Sequence, residues 1–170
     1  DYAGGICGTS SYEGIIKYCW NEGDIGGSSN GGSGGICGLR AGENHTLEIS
    51  YCWNEGTISS KNSGGICGLY AGSVYSDIGG TSSKLIIFNC YNDANGADDK
   101  DNQGGIVGSG AGLAGGTVFI FNSWSKGSNM NKYGVGGVAG TADTVAVTNC
   151  YVVGEDMDMV YDNRSIDVNK

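Results

Sequence analysis

The sequence predicts an all-β protein, a parallel β-solenoid of about five repeats of 30–40 residues. A short glycine motif returns five times, and a strand-and-aromatic motif returns five times between its copies. The apolar stretches are built from β-branched and aromatic residues, and the chain contains no proline, so every backbone N–H is open to a ladder hydrogen bond.

The glycine motif is Gly-Gly-apolar-small-Gly. It reads Gly4-Gly5-Ile6-Cys7-Gly8, Gly34-Gly35-Ile36-Cys37-Gly38, Gly64-Gly65-Ile66-Cys67-Gly68, Gly104-Gly105-Ile106-Val107-Gly108 and Gly136-Gly137-Val138-Ala139-Gly140. The starts lie 30, 30, 40 and 32 residues apart. A unit of that size made of short strands cannot bury its apolar face alone, so neighbouring units must stack, each turn about 4.8 Å above the last.

The second motif places a small residue three positions after an aliphatic one and an aromatic next. It reads Ile16-Lys17-Tyr18-Cys19-Trp20-Asn21, Ile49-Ser50-Tyr51-Cys52-Trp53-Asn54, Ile87-Phe88-Asn89-Cys90-Tyr91-Asn92, Ile120-Phe121-Asn122-Ser123-Trp124-Ser125 and Val147-Thr148-Asn149-Cys150-Tyr151-Val152. From each Cys or Ser to the next glycine pair there are 15, 12, 14 and 13 positions, whereas from glycine pair to Cys or Ser there are 15, 18, 26, 19 and 14. Insertions therefore concentrate in one connection, longest from Leu69 to Lys84, as loops along one side of a stack. Stretches such as Leu85-Ile86-Ile87-Phe88 and Val118-Phe119-Ile120-Phe121 read as strands. No segment holds a helical period free of glycine. The repeats span residues 1–154, with units starting near Gly4, Gly34, Gly64, Gly104 and Gly136. Residues 155–170 read as an acidic C-terminal cap or tail, because no further glycine pair follows.

Glycine makes up 34 of 170 residues without a three-residue period, which excludes collagen. An apolar fraction of 39% against 16% charged argues for a packed core rather than disorder. The net charge of −9 excludes a nucleic acid partner, and no apolar run is long enough to span a membrane. Asp1 follows no leader in this sequence, which reads as a fragment or a processed product.

Stacking gives the cysteines a structural reading. Cys7, Cys37 and Cys67 form one inward column, continued by Val107 and Ala139; Cys19, Cys52, Cys90 and Cys150 form another, interrupted by Ser123. Free cysteine behaves as a small buried hydrophobe. Neighbours one turn apart fall within bridging distance, so one or two disulfides stay open as an alternative, although seven is odd. A zinc site lacks clustered ligands, and a catalytic thiol would have His45 as its sole histidine partner.

Trp20, Trp53, Tyr91, Trp124 and Tyr151 form an aromatic column, either a structural ladder or, facing water, a strip for sugars or a partner protein. Asn21, Asn54 and Asn92 suggest an amide ladder at a turn, and Asn89, Asn122 and Asn149 a second. Asp93, Asn95, Asp98, Asp99 and Asp101 surround a glycine turn and form the calcium candidate, with a solvated acidic loop as its rival. Calcium is the one cofactor the chain suggests. No serine-hydrolase, zinc-protease or phosphate-loop motif is present, and Glu22 with Glu55 reads as one surface position repeated rather than a catalytic pair.

The alternation of Gly-Gly-Ile-x-Gly with Ile-x-Asn-Cys-Tyr-Asn-x-Gly resembles the GLUG-motif repeats of large bacterial surface and secreted proteins, including regions of IgA-peptidase-type proteins. It covers roughly residues 3 to 154. The resemblance implies an extracellular or cell-surface β-solenoid within a longer chain. The zinc motif of those peptidases has no match here, so protease activity is not carried over. The expected function is a non-enzymatic structural or adhesive repeat module, a rigid spacer or filament-forming adhesin segment. It would meet a surface protein or glycan and could associate end to end with itself. The alternative is a carbohydrate-active or carbohydrate-binding β-helix whose acidic loop holds calcium and in which Lys84 or Arg40 has a lyase-like role. Ice binding would need regular threonine columns, which are missing.

Overall fold

The computed structural model describes residues 2–26, 31–75, 79, 82–96, 103–126, 144–153 and 166–169. The β-branched stretches form β1 (Gly14–Lys17), β3 (Thr46–Ser50), β5 (Lys84–Phe88), β7 (Thr117–Phe121) and β9 (Thr144–Thr148). Each is followed by a shorter strand: β2 (Trp20–Asn21), β4 (Trp53–Asn54), β6 (Tyr91–Asn92), β8 (Trp124–Lys126) and β10 (Tyr151–Val153). Within the stretch read as an acidic cap or tail, Ile166–Asn169 forms β11. The protein is all-β: its strands lie in two parallel sheets, and no helix occurs among the described residues.

The first sheet has the order β1-β3-β5-β7-β9-β11 and the second β10-β8-β6-β4-β2. Register is fixed by strand periodicity, since a slip by one residue would turn the apolar set to the other face. Ile16 pairs with Ile49, Ile49 with Ile87, Ile87 with Ile120 and Ile120 with Val147. Ile49, Ile87 and Ile120 are fully buried, as are Leu85 and Val118 two positions earlier on the same face. β11 continues the register against β9, pairing Ile166 with Val145, although no glycine pair marks it in the sequence.

Three columns of single bridges accompany the sheets: Gly4, Gly34, Gly64 and Gly104; Cys7, Cys37, Cys67 and Val107; Ile25, Ile58 and Gly96. The fifth glycine motif, Gly136–Gly140, lies outside the described residues. Between β1 and β2 and at each equivalent corner one residue takes a left-handed conformation: Tyr18 (φ 56), Tyr51 (φ 54), Asn89 (φ 52), Asn122 (φ 49) and Asn149 (φ 54). Asparagine was expected at such a corner, and three units have it. The first two use tyrosine, for which left-handed backbone is less favourable, and their rings stack at 5.0 Å. Asn21, Asn54 and Asn92 do not sit at a turn; they belong to β2, β4 and β6.

Candidate functional site

The seven cysteines are free thiols. Cys37, Cys52 and Cys67 are fully buried, Cys90 and Cys150 nearly so, and Cys7 and Cys19 half-buried in the first unit. The two columns differ in chemistry. In the second, each thiol donates to the carbonyl two residues upstream: Cys19 to Lys17 O (3.3 Å), Cys52 to Ser50 O (3.2 Å), Cys90 to Phe88 O (3.3 Å) and Cys150 to Thr148 O (3.3 Å). Ser123 Oγ makes the same bond to Phe121 O at 3.0 Å. That shared donor role explains why this column accepts serine, while the first accepts valine at Val107.

Among the described residues no cation acts on these thiols. The Cys67 contact and burial push Cys37 well up, and burial pushes Cys150 up. The contact between the Cys52 and Cys90 thiols splits that pair, lowering Cys52 and raising Cys90. Among the described residues no group of three or more His, Cys, Asp or Glu side chains is placed to hold a metal ion.

The aromatic column is a continuous stack. Centroid distances are 5.3 Å for Trp20–Trp53, 5.7 Å for Trp53–Tyr91, 4.8 Å for Tyr91–Trp124 and 5.8 Å for Trp124–Tyr151, with rings within 10° of parallel. The rings of Trp53, Tyr91 and Trp124 therefore turn their faces to one another and only their edges to water. A sugar stacks on a ring face, and in this ladder such a face is open only at Trp20 and Tyr151, which are 52% and 53% exposed.

Behind the rings, the next residue of β2, β4, β6 and β8 points inward. Asn21 Nδ2 donates to Asn54 Oδ1 (2.7 Å), Asn54 Nδ2 to Asn92 Oδ1 (3.0 Å) and Asn92 Nδ2 to Ser125 Oγ (3.5 Å). The second glycine of each pair makes room for this ladder: a Cβ on Gly5 would lie 2.7 Å from Asn21 Oδ1, and one on Gly35 or Gly65 would overlap Asn54 or Asn92. Two of the corner asparagines are linked too, Asn149 Nδ2 donating to Asn122 Oδ1 at 2.9 Å.

Of the calcium candidates, Asp98, Asp99 and Asp101 lie outside the described residues. Asp93 receives Lys126 Nζ at 3.3 Å. Asn95 is exposed, its carbonyl accepting Ile58 N at 3.1 Å. Glu55 Oε1 accepts the Tyr91 hydroxyl at 3.4 Å. Arg40 Nη1 lies 3.6 Å from the buried Glu43 carboxylate, and its guanidinium sits 3.8 Å over the Tyr75 ring.

Sequence reading missed a third repeated element. Ala41-Gly42, Ala71-Gly72 and Ala111-Gly112 each begin seven residues after a glycine pair. Gly42, Gly72 and Gly112 are left-handed (φ 74, 66 and 71). Gly72 N donates to Ala41 O at 2.7 Å and Gly112 N to Ala71 O at 2.9 Å. The constant spacing was the available signal, and it places the length variation after this turn. His45, just before β3, and Lys84 and Phe119, on β5 and β7, line one cleft on the outer side of the first sheet.

No family model, no curated protein and no solved structure matches the chain. No helix among the described residues is long and apolar enough to cross a membrane.

Proposed function

We propose that the two sheets and the bridge columns are faces of one parallel β-solenoid, and that the chain is a non-enzymatic structural or adhesive repeat module carried outside the cell. What supports this most is the direction of its side-chain contacts. The amides of Asn21, Asn54 and Asn92 and the rings from Trp20 to Tyr151 find their partners in the next unit along the stack. Groups arranged for turnover converge on a cleft; these run parallel to the stacking axis and stiffen it. The likeness of the glycine motif to GLUG repeats is the ground for placing the module at the cell surface, as a spacer or a filament-forming unit. A further copy would add at the edge strands, β1 and β2 at one end and β11 and β10 at the other. No cofactor is part of this reading.

Amide hydrogen exchange tests the architecture. Ile36, Ile66 and Cys67 donate to isoleucine carbonyls of the next unit at 2.9–3.0 Å and should be as protected as the centre of β5, whereas fast exchange there would leave two sheets without a coil. Turnover of a polysaccharide or peptide substrate that disappears in Lys84→Met or Arg40→Met would overturn the non-enzymatic assignment. Protease shaving of intact cells should release the module.

A further inference from the structure

The cleft beside β3, β5 and β7 has a volume of about 430 Å³ and is lined by His45, Thr46, Ser82, Lys84, Thr117 and Phe119, within the size range of small-ligand sites. Thr46, Lys84 and Thr117 are register partners on three adjacent strands, so two threonines flank Lys84 at one repeat position, against the sequence reading that threonines share none. Lys84 Nζ lies 5.3 Å over the Phe119 ring, which holds the cation by its π face without neutralising it. Among the described residues no carboxylate pairs with Lys84. Glu48, further along the same face, is held by Lys17 at 2.9 Å, and Glu43 faces Arg40. His45 Nδ1 is bonded to Glu43 O at 3.1 Å, which fixes the imidazole and leaves Nε2 for a further partner.

In a chain of net charge −9, an ammonium with no carboxylate partner among the described residues, in a cleft that it shares with hydroxyls and an imidazole, is a local inversion of the surface. We propose that this cleft is a binding site for a carboxylated sugar residue, its carboxylate on Lys84 Nζ and its hydroxyls on Thr46, Thr117, Ser82 and His45. A single ammonium suits one carboxylate; phosphate is more often gripped by an arginine fork or a nest of backbone amides. A peptide would seek a strand edge, and β3, β5 and β7 are each paired on both sides. The site deepens the adhesive reading above and gives it a ligand class.

Titration calorimetry on the whole chain tests this with a galacturonate trisaccharide, a sialylated trisaccharide, a neutral galactose trisaccharide and inorganic phosphate. At least one of the carboxylated probes should bind, the neutral one should bind about tenfold more weakly or not at all, and Lys84→Met should lose about tenfold or more. Thr117→Val should weaken binding while leaving the charge in place. Lys84 is exposed at the start of a strand, so an unchanged melting temperature will show that the variant is folded. The proposal is overturned if neither carboxylated probe binds, if the neutral sugar or phosphate binds as tightly, or if Lys84→Met binds like the parent. None of those results touches the hydrogen-exchange test of the stack, so the two readings fail separately.

Discussion

Asn54 Nδ2 donates to Asn92 Oδ1 at 3.0 Å with both side chains fully buried, while Asn54 Oδ1 accepts from Asn21. Asn54 and Asn92 are each at once donor and acceptor along the stack, and Asn54 also donates to Gly56 O at 3.0 Å. Stacked amides satisfy one another only when neighbouring units hold register, so the ladder sets register as well as stability.

Asn54→Ala should therefore be costly. It strips Asn92 Oδ1 of its donor and leaves Gly56 O short of one, and each buried group so orphaned costs about 1–3 kcal/mol. A loss of roughly 3 kcal/mol in urea unfolding is expected. Asn21→Ala, at the half-buried end of the ladder, should cost about 1 kcal/mol. Equal losses at both positions would show that the ladder is not the source.

Glycine offers a sharper comparison. A Cβ on Gly35 would overlap both Asn54 and the Gly65 carbonyl, whereas one on Gly8 meets nothing within 4 Å. Gly35→Ala should destabilise by roughly 3 kcal/mol or more, and Gly8→Ala by less than about 0.5 kcal/mol. Because backbone is one of the obstacles, Asn54→Ala should not rescue Gly35→Ala. Rescue in a double-mutant cycle would place the whole conflict on the side chain.

These contrasts also show what could be read in advance. The period, the parallel pairing and the columns follow from motifs whose spacing is nearly constant, because any stacked unit must return the same residue to the same height. Local conformation was harder to see. Tyr18 and Tyr51 occupy a left-handed corner that asparagine marks elsewhere; there ring stacking and the corner hydrogen bonds offset a backbone preference that single-residue reasoning relies on. Lys84 stood out in the sequence as a candidate basic residue, but its place in a cleft with His45 did not. The two are 39 positions apart, and only the stacking of Thr46, Lys84 and Thr117 brings them together. The Ala-Gly turns were visible but overlooked, since alanine and glycine carry no chemistry of their own.

The two cysteine columns should respond differently to substitution. Cys90 Sγ donates to Phe88 O at 3.3 Å, and Ser123 fills the same position one unit on. Cys90→Ser should cost less than about 1 kcal/mol, and Cys90→Val roughly 2 kcal/mol through the lost donor and overpacking. Cys37 stands in the column that Val107 continues, so Cys37→Val should be tolerated better than Cys90→Val. Chemical denaturation of the four proteins checks the order, and a valine tolerated equally in both columns would show that the carbonyl bond contributes nothing.

Alkaline pH probes the same thiols. Cys37 and Cys90 are raised above the ordinary thiol value of 9.0, by contact with Cys67 and Cys52 and by burial, and Cys150 is raised by burial. Below pH 9 these groups are protonated in both states and their contribution is fully present. As pH rises past 9 the unfolded chain releases protons that the folded chain retains, so the unfolded state binds fewer and stability must fall, by about 1.4 kcal/mol per pH unit for each such thiol. Cys52 is shifted the other way and adds no further loss above pH 9. Urea midpoints between pH 8 and 10.5 should thus decline steeply, and Cys37→Val should remove part of the slope. A flat profile, or a slope unchanged in that variant, would mean that ionisation of the core thiols is not linked to folding.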